Sequence, residues 1–326
     1  MQILESKNVN DAFRSGLNLI NRHGAFEPSR NGSVKVVPFP VLSIIHHPTE
    51  RVLFNEERDA NPFFHLMEAI WMLSGSNKLD FVKQFVARME EYSDDGKTLA
   101  GAYGYRWRKH FRTDQLLETI DMLKEDPESR RVVVSMWDAN EDLNKVDRKD
   151  IPCNTHIYFR RIKSSLDMMV CNRSNDIVWG LYGANAVHLT ILHEFMAIAL
   201  GLRVGVYRHL SNNFHLYPKN VDFKALLNSS DTDLYTPFSN DCVEPLPLYE
   251  NPEEASKFLE ACEKFIENPT STEPSGFVFI DYTLKPMYEV WVNREDREIA
   301  YTLTQKISAS DWREGARRWI LKRANR

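Results

Sequence analysis

At 326 residues, with 43% hydrophobic and 27% charged side chains, the chain is long enough to bury a large core of its own. A net charge of −5 leaves no electrostatic footprint for nucleic acid or an anionic membrane, and no apolar run approaches the roughly 18 residues of a membrane span. The first residues (MQILESKNVND) lack a secretory pattern, and the four cysteines, Cys153, Cys171, Cys242 and Cys262, are far apart with no CxxC; a cytoplasmic protein with free thiols and no metal is expected.

No repeat, linker or low-complexity tract interrupts the sequence, so residues 1–326 are expected to form a single domain. Asn61-Pro62 predicts a helix cap followed by proline in the first turn, and Gly75 a helix end; FFHLMEAIWMLS between them is apolar on nearly every face, as a buried helix requires. Asp114–Lys124 predicts an amphipathic helix. Val132–Trp137, His156–Ile162 and Met168–Cys171 predict strands, the last two joined by a turn around Lys163-Ser164-Ser165. Ala186–Leu200 predicts a long apolar helix ended by Gly201, with further strands at Val204–Tyr207 and Gly276–Tyr282. Residues 226–275, rich in Asn, Ser, Pro and Glu, are expected to be a surface excursion, and DWREGARRWILKRANR a basic amphipathic helix packed on the surface. Helices and strands mix without regular βαβ alternation, which points to an α+β fold.

Cys153 follows a proline and opens a strand. A thiol becomes a useful nucleophile beside positive charge, which Arg173 would supply if the two strands between them fold back on each other; the plain alternative is an inert buried cysteine. Glu68 stands mid-helix among Met67, Ala69, Ile70 and Trp71. A carboxyl group there is either paired or protonated, and one so poised can shuttle protons. Arg130 and Arg131 lead into the strand at Val132 and suit a phosphate, or are simply solvated; Arg30-Asn31-Gly32-Ser33 is a turn able to close over the same anion. His46-His47, His188 and His193-Glu194 form no usual ligand spacing, and GxGxxG and GxxxxGK[ST] are absent, so any phosphate is held by side chains.

Taken in register, these pieces resemble the thymidylate synthase family over residues 11–225. Arg30-x-Gly32-Ser33, Glu68-x-x-Trp71, Tyr103-Gly104-x-x-Trp107-Arg108, Asp126-Pro127-x-Ser129-Arg130-Arg131, Pro152-Cys153, Arg173-Ser174-x-Asp176 with Gly180-Leu181, and His215-Leu216-Tyr217 run in the family's order. The resemblance implies a mixed sheet packed with helices, a homodimer formed through that sheet, and 5,10-methylenetetrahydrofolate as one-carbon co-substrate without a metal. It also implies roles. Cys153 adds to C6 of a pyrimidine nucleotide. Arg30, Arg173 and the other subunit's Arg130 and Arg131 hold the 5′-phosphate, with Ser174 beside them. His215 and Tyr217 bond the sugar. Glu68 and Tyr103 manage protons, Asp176 meets the pterin, and Trp71 lines its pocket.

Three departures redirect the expectation. Asn154 stands where synthases have His after the cysteine. Gly180-Leu181-Tyr182-Gly183-Ala184-Asn185 replaces Gly-Leu-Pro-Phe-Asn, so the base-reading position falls on Ala184, or on Asn185 if the chain bulges near Gly183; either base remains open to an amide there. The sequence closes on Arg-Ala-Asn-Arg rather than an apolar tail that seals water from the methylene intermediate. RSNDIVWGLYGANAVH resembles the cytidylate 5-hydroxymethylase branch, and Ser174 with Arg131 its deoxyribonucleotide members. The expectation is dCMP hydroxymethylation, against thymidylate synthesis, dUMP or CMP hydroxymethylation, or a non-catalytic binding protein. Cys153, Glu68, Arg173 and the arginine pair argue against the last, and no nucleic-acid or membrane partner is expected.

Overall fold

The computed structural model of the chain describes residues 1–143, 145, 147–232, 237–240 and 242–324. The chain opens with β1 (Gln2–Ser6), α1 (Val9–His23), β2 (Ala25–Ser29), β3 (Gly32–Val36), β4 (Val41–Ile45) and α2 (Pro62–Leu73). Next come α3 (Leu79–Val82), α4 (Tyr103–Tyr105), α5 (Gln115–Glu125), β5 (Val133–Ser135) and α6 (Ala139–Asp142). The middle holds β6 (Asn154–Ile162), β7 (Ser165–Asn172), β8 (Asn175–Asp176), α7 (Asn185–Ala199), β9 (Arg203–Ser211) and β10 (Phe214–Leu216). Then follow α8 (Phe223–Thr232), α9 (Ala255–Glu267), α10 (Lys285–Val292), α11 (Arg297–Thr304) and α12 (Ser310–Ala324).

The strands make a six-stranded sheet in the order β1-β4-β9-β7-β6-β5 and a four-stranded sheet β2-β3-β10-β8, both mixing parallel and antiparallel pairs; with the helices against them the fold is α+β. The large sheet has two unlike faces, as period-two strands dictate. Ile157, Phe159, Leu166, Met168 and Val170 point into the core beneath α7, which in turn packs on α2. The opposite face carries Ile3, Val133, Tyr158 and Ile162, each 39–51% exposed.

Local chemistry explains the elements that place the site. Asn61 caps α2 by accepting from the Phe64 N–H at 3.1 Å, Pro62 starts it, and Gly75 turns out of it at φ +67°. Asp114 caps α5 in the same way. β6 and β7 form a hairpin pairing Asn154 with Asn172 and Ile162 with Ser165, its turn made by Lys163 (φ +56°) and Ser164. A π-helical stretch, Ile177–Ala184, leads into α7 and contains a break at Gly183 (φ −92°, ψ −111°), the bulge that the sequence left open.

Two expectations are corrected. Gly276–Tyr282 is not a strand: the chain is helical from Val278 into α10, because Phe277, Ile280, Leu284 and Met287 recur at helical spacing on the buried side. The aromatic and β-branched content of GFVFIDY imitated a strand. Residues 226–275 are not merely an excursion over the surface. Phe258, Leu259, Cys262 and Phe265 of α9 are buried, and α9 packs on α2 and α7; residues 233–236 and 241 of that segment lie outside the described residues. The basic α12 is held by its own charges: Arg317 and Arg318 pair with Glu314, Arg323 pairs with Asp59, and Trp312, Ala316 and Ile320 are buried. Of the Arg-Ala-Asn-Arg end, residues 325 and 326 lie outside the described residues.

Gly104 lets α4 sit directly on the C-terminal turn of α2, where a Cβ would overlap the Met72 carbonyl. Backbone cannot yield as a side-chain tip can. Gly104→Ala is expected to cost about 3 kcal/mol of stability and to displace Tyr103; a denaturant melt unchanged within error would refute this packing.

Candidate active site

Cys153 lies at the mouth of β6, and the hairpin brings Arg173 back to it as the sequence required. The Arg173 backbone N–H donates to the Cys153 carbonyl at 2.9 Å, while its guanidinium donates to the carbonyls of Pro152 (3.1 Å) and Ile151 (2.9 Å). Burial pushes the Cys153 thiol above its ordinary value; Arg173 and then Arg30 pull it back, and the Asp150 carboxylate adds to the rise. Arg30 acts on the thiol from the β2–β3 turn, whereas its motif implied only a role at the phosphate. Asp150, which accepts from the Gly101 N–H at 2.7 Å, is a charged neighbour that motif reasoning passed over.

Tyr103 stands over the same segment, accepting from the Asn154 N–H at 3.4 Å; burial holds its hydroxyl protonated. Glu68 is 7% exposed inside α2, with Oε2 3.0 Å from Nε2 of His188 on α7. The carboxylate is thus paired, and its partner is a histidine that the sequence discounted because it lacked metal spacing. Among the described residues there is no group of three or more His, Cys, Asp or Glu able to hold a metal.

A relay of amides runs from the cysteine to α7. Asn154 Nδ2 donates to the Cys171 carbonyl (3.1 Å) and to Asn172 Oδ1 (3.0 Å), and Asn172 Nδ2 donates to Asn175 Oδ1 (3.3 Å). Asn175 Nδ2 donates to Ser211 Oγ and faces His209 Nε2, both at 2.9 Å, and Asn185 Nδ2 donates to Asn175 Oδ1 at 3.3 Å. A carbonyl can only accept, so the Cys171 oxygen sets the orientation of Asn154, and each amide sets the next. His209, lowered to about 3 by burial, is neutral and accepts at Nε2. The break at Gly183 lets Asn185, rather than Ala184, reach the relay.

Asp176 accepts the N–H groups of Val178 (2.7 Å) and Trp179 (3.0 Å), both on Oδ1; burial nevertheless raises its pKa, against the pull of those N–H groups, His215 and Arg58. His215 is lowered by burial, opposed by Asp176, and packs edge-on to Tyr217 at 5.2 Å. The buried Arg58 donates to the Val178 carbonyl (2.7 Å) and lies 4.1 Å from the centroid of the Trp179 ring, which is 49% exposed. An aromatic plate beside a carboxylate with an uncommitted oxygen fits a flat ring rich in N–H donors, such as a pterin. Trp71, by contrast, is inside the core (1% exposed), its indole N–H donating to the Lys78 carbonyl. Ser174 is half-buried next to Arg173. Arg130 and Arg131 are not among the charges acting on Cys153; they are exposed just before β5, and no ion pair engages them among the described residues.

Cys153 thus lies under the charges of Arg173 and Arg30, with Tyr103 over the same segment. The chain belongs to the thymidylate synthase family, whose description, Thymidylate synthase, matches residues 20–236. It is 41% identical to a deoxyuridylate hydroxymethyltransferase of Pseudomonas phage M6 in an alignment covering 99% of this chain and 95% of that one. Proteins of the same name match at 34% in Bacillus phage SP01, covering 55% of this chain and 49% of that protein, and at 31% in Delftia phage PhiW-14, covering 66% and 62%. The chain is a thymidylate synthase-like one-carbon transferase, of a family that takes its carbon from methylenetetrahydrofolate.

The electrostatics of Cys153 make a sign-specific prediction. Because burial and Asp150 raise the thiol and Arg173 lowers it, alkylation of Cys153 by iodoacetamide should still be climbing with pH at the ordinary thiol value. Asp150→Asn should move the profile to lower pH and Arg173→Gln to higher pH, read by mass spectrometry of the Cys153 peptide. Shifts of opposite sign would contradict the arrangement.

Proposed function

We propose that the chain converts deoxyuridylate to 5-hydroxymethyldeoxyuridylate, with methylenetetrahydrofolate as carbon donor. The observation that carries the choice of base is the orientation of Asn185. With one N–H on Asn175, the Asn185 oxygen and remaining N–H are left as an acceptor and a donor for a base seated beside them, which would match N3–H and O4 of uracil. Cytosine seated the same way would set a bare N3 lone pair against the amide oxygen. The full-length similarity to the deoxyuridylate hydroxymethyltransferase of phage M6 points the same way. This replaces the dCMP expectation, which rested on resemblance around Ser174 and Asn185.

In this reading the Cys153 thiolate adds to C6, and the electron pair displaced to C5 takes up the carbon. Arg30 and Arg173 sit where a 5′-phosphate beside the cysteine would be held, and such an anion would be bound bidentately. Ser174 lines the same anion. His215 and Tyr217 meet the sugar hydroxyl, Tyr103 and Glu68 handle protons at the base, and Asp176 with the Trp179 plate receives the folate, Trp71 backing it from the core.

Arg130 and Arg131 belong to a second copy's site in this proposal. The half-exposed apolar face of the large sheet, with Ile3, Val133, Tyr158 and Ile162, is the surface that two copies would bury against each other, and the arginine pair lies at its β5 edge.

Incubation with dUMP, dCMP, UMP and CMP in turn, with mass spectrometry of the nucleotide, tests the substrate. The expected product is hydroxymethyl-dUMP; preferred turnover of dCMP, or thymidylate accompanied by dihydrofolate, would overturn the reading. Mixing inactive Cys153→Ser with inactive Arg131→Ala protein should recover about a quarter of wild-type activity, since half the redistributed dimers carry one intact site. No recovery, in protein shown to exchange subunits, would refute the shared site.

A further inference from the structure

His188 faces Glu68 and has no part in the motifs or in the proposed roles. It is 3% exposed, on α7, three residues and so about one turn beyond Asn185. Its Nε2 lies 3.0 Å from Glu68 Oε2 but makes no hydrogen bond, and its Nδ1 has no hydrogen-bond partner among the described residues. Leaving both nitrogens of a buried imidazole unbonded is costly, so such a ring is either strained in place or waiting for a small polar molecule. Its surroundings reach the chemistry through Glu68. Glu68 acts on Asp150, and Asp150 acts on the Cys153 thiol. On its other side His188 acts on His65, which burial and Arg58 keep neutral. A carboxylate and an imidazole that face each other without a hydrogen bond can both engage one water, each accepting from it or donating to it.

We propose that His188, with Glu68, holds and deprotonates the water that becomes the product's hydroxyl group. This inference rests on the hydroxymethylation reading. Once the carbon is attached at C5 and its bond to the donor has broken, the nucleotide carries an exocyclic C5 methylene and a C6–S bond to Cys153. The water oxygen forms a bond to the methylene carbon. The methylene π pair moves through C5 onto O4, and the water proton passes to the Glu68–His188 pair. Collapse of that enolate restores the C4 carbonyl, forms the C5–C6 double bond and expels the Cys153 thiolate, which can take the proton back. No electrons are lost or gained, so no hydride donor is needed. His188 is a catalytic residue in this proposal, because it touches the attacking water together with Glu68, and Asn185 on the same helix fixes the base the water must meet.

The test compares wild type with His188→Gln, which keeps a polar side chain but cannot take a proton, using dUMP and methylenetetrahydrofolate. Three quantities are read: hydroxymethyl-dUMP, exchange of the C5 hydrogen, and intact mass of the protein for a trapped nucleotide–methylene adduct. The expected result is a roughly tenfold or greater loss of hydroxymethyl product, with C5 exchange within about twofold of wild type and the adduct accumulating. Added 2-mercaptoethanol, whose thiolate needs no base, should then discharge the adduct as the thioether. Retained hydroxymethylation in His188→Gln overturns the proposal, as does an equal loss of exchange and product. His188→Asn serves if the first variant does not fold, and failure of both to fold makes the residue structural and also overturns it. Thymidylate and dihydrofolate from the wild type would be a different failure, that of the parent reading, and would remove this inference with it.

Discussion

The site depends on Arg173 closing over the chain just before β6. Its backbone N–H and guanidinium donate to three successive carbonyls, at Ile151, Pro152 and Cys153, so the cysteine is held by the residue that also supplies its nearest positive charge. That arrangement is possible because β6 and β7 are a two-residue-turn hairpin in which Asn154 faces Asn172. Two guanidinium groups oppose burial without overcoming it, and the thiol stays raised. A resting thiol that ionises as a substrate settles is protected from oxidation and alkylation between turnovers.

The same hairpin begins the amide relay, and α7 ends it. The helix therefore carries the residue that contacts the relay, Asn185, and the imidazole against Glu68, His188, one turn apart on one rigid element. Asn154 takes the place where the family's synthases have histidine. In this chain an imidazole from α7 faces Glu68 instead, and the side chain after the cysteine orients amides. In the proposed reaction, base recognition and proton handling would both depend on the position of that one helix.

Much of this was legible in the sequence because it is local. Caps at Asn61 and Asp114, the hairpin turn at Lys163-Ser164 and the end of α2 at Gly75 are set by residues within a turn of one another. Seven short motifs in register, from Arg30 to Tyr217, carried the family. What escaped was long-range. Nothing near His188 says that Glu68, on another helix, will face it, and a polar residue in an apolar helix was the only available signal. The polarity of Asn185 is set by a backbone carbonyl at Cys171, several hydrogen bonds away. Residues 226–275 read as surface because their loops are polar, while α9 within them supplies Phe258 and Phe265 to the core. At Phe277–Tyr282, composition suited a strand and periodicity suited a helix, and periodicity prevailed because one side had to be buried.

In the proposed reaction a water molecule, rather than a hydride, completes the transfer to uracil. Turnover of dUMP in water enriched with heavy oxygen tests it most directly. The account predicts a hydroxymethyl nucleotide carrying the heavy oxygen on its new carbon, with the folate left as tetrahydrofolate. An unlabelled methyl product together with dihydrofolate would contradict it.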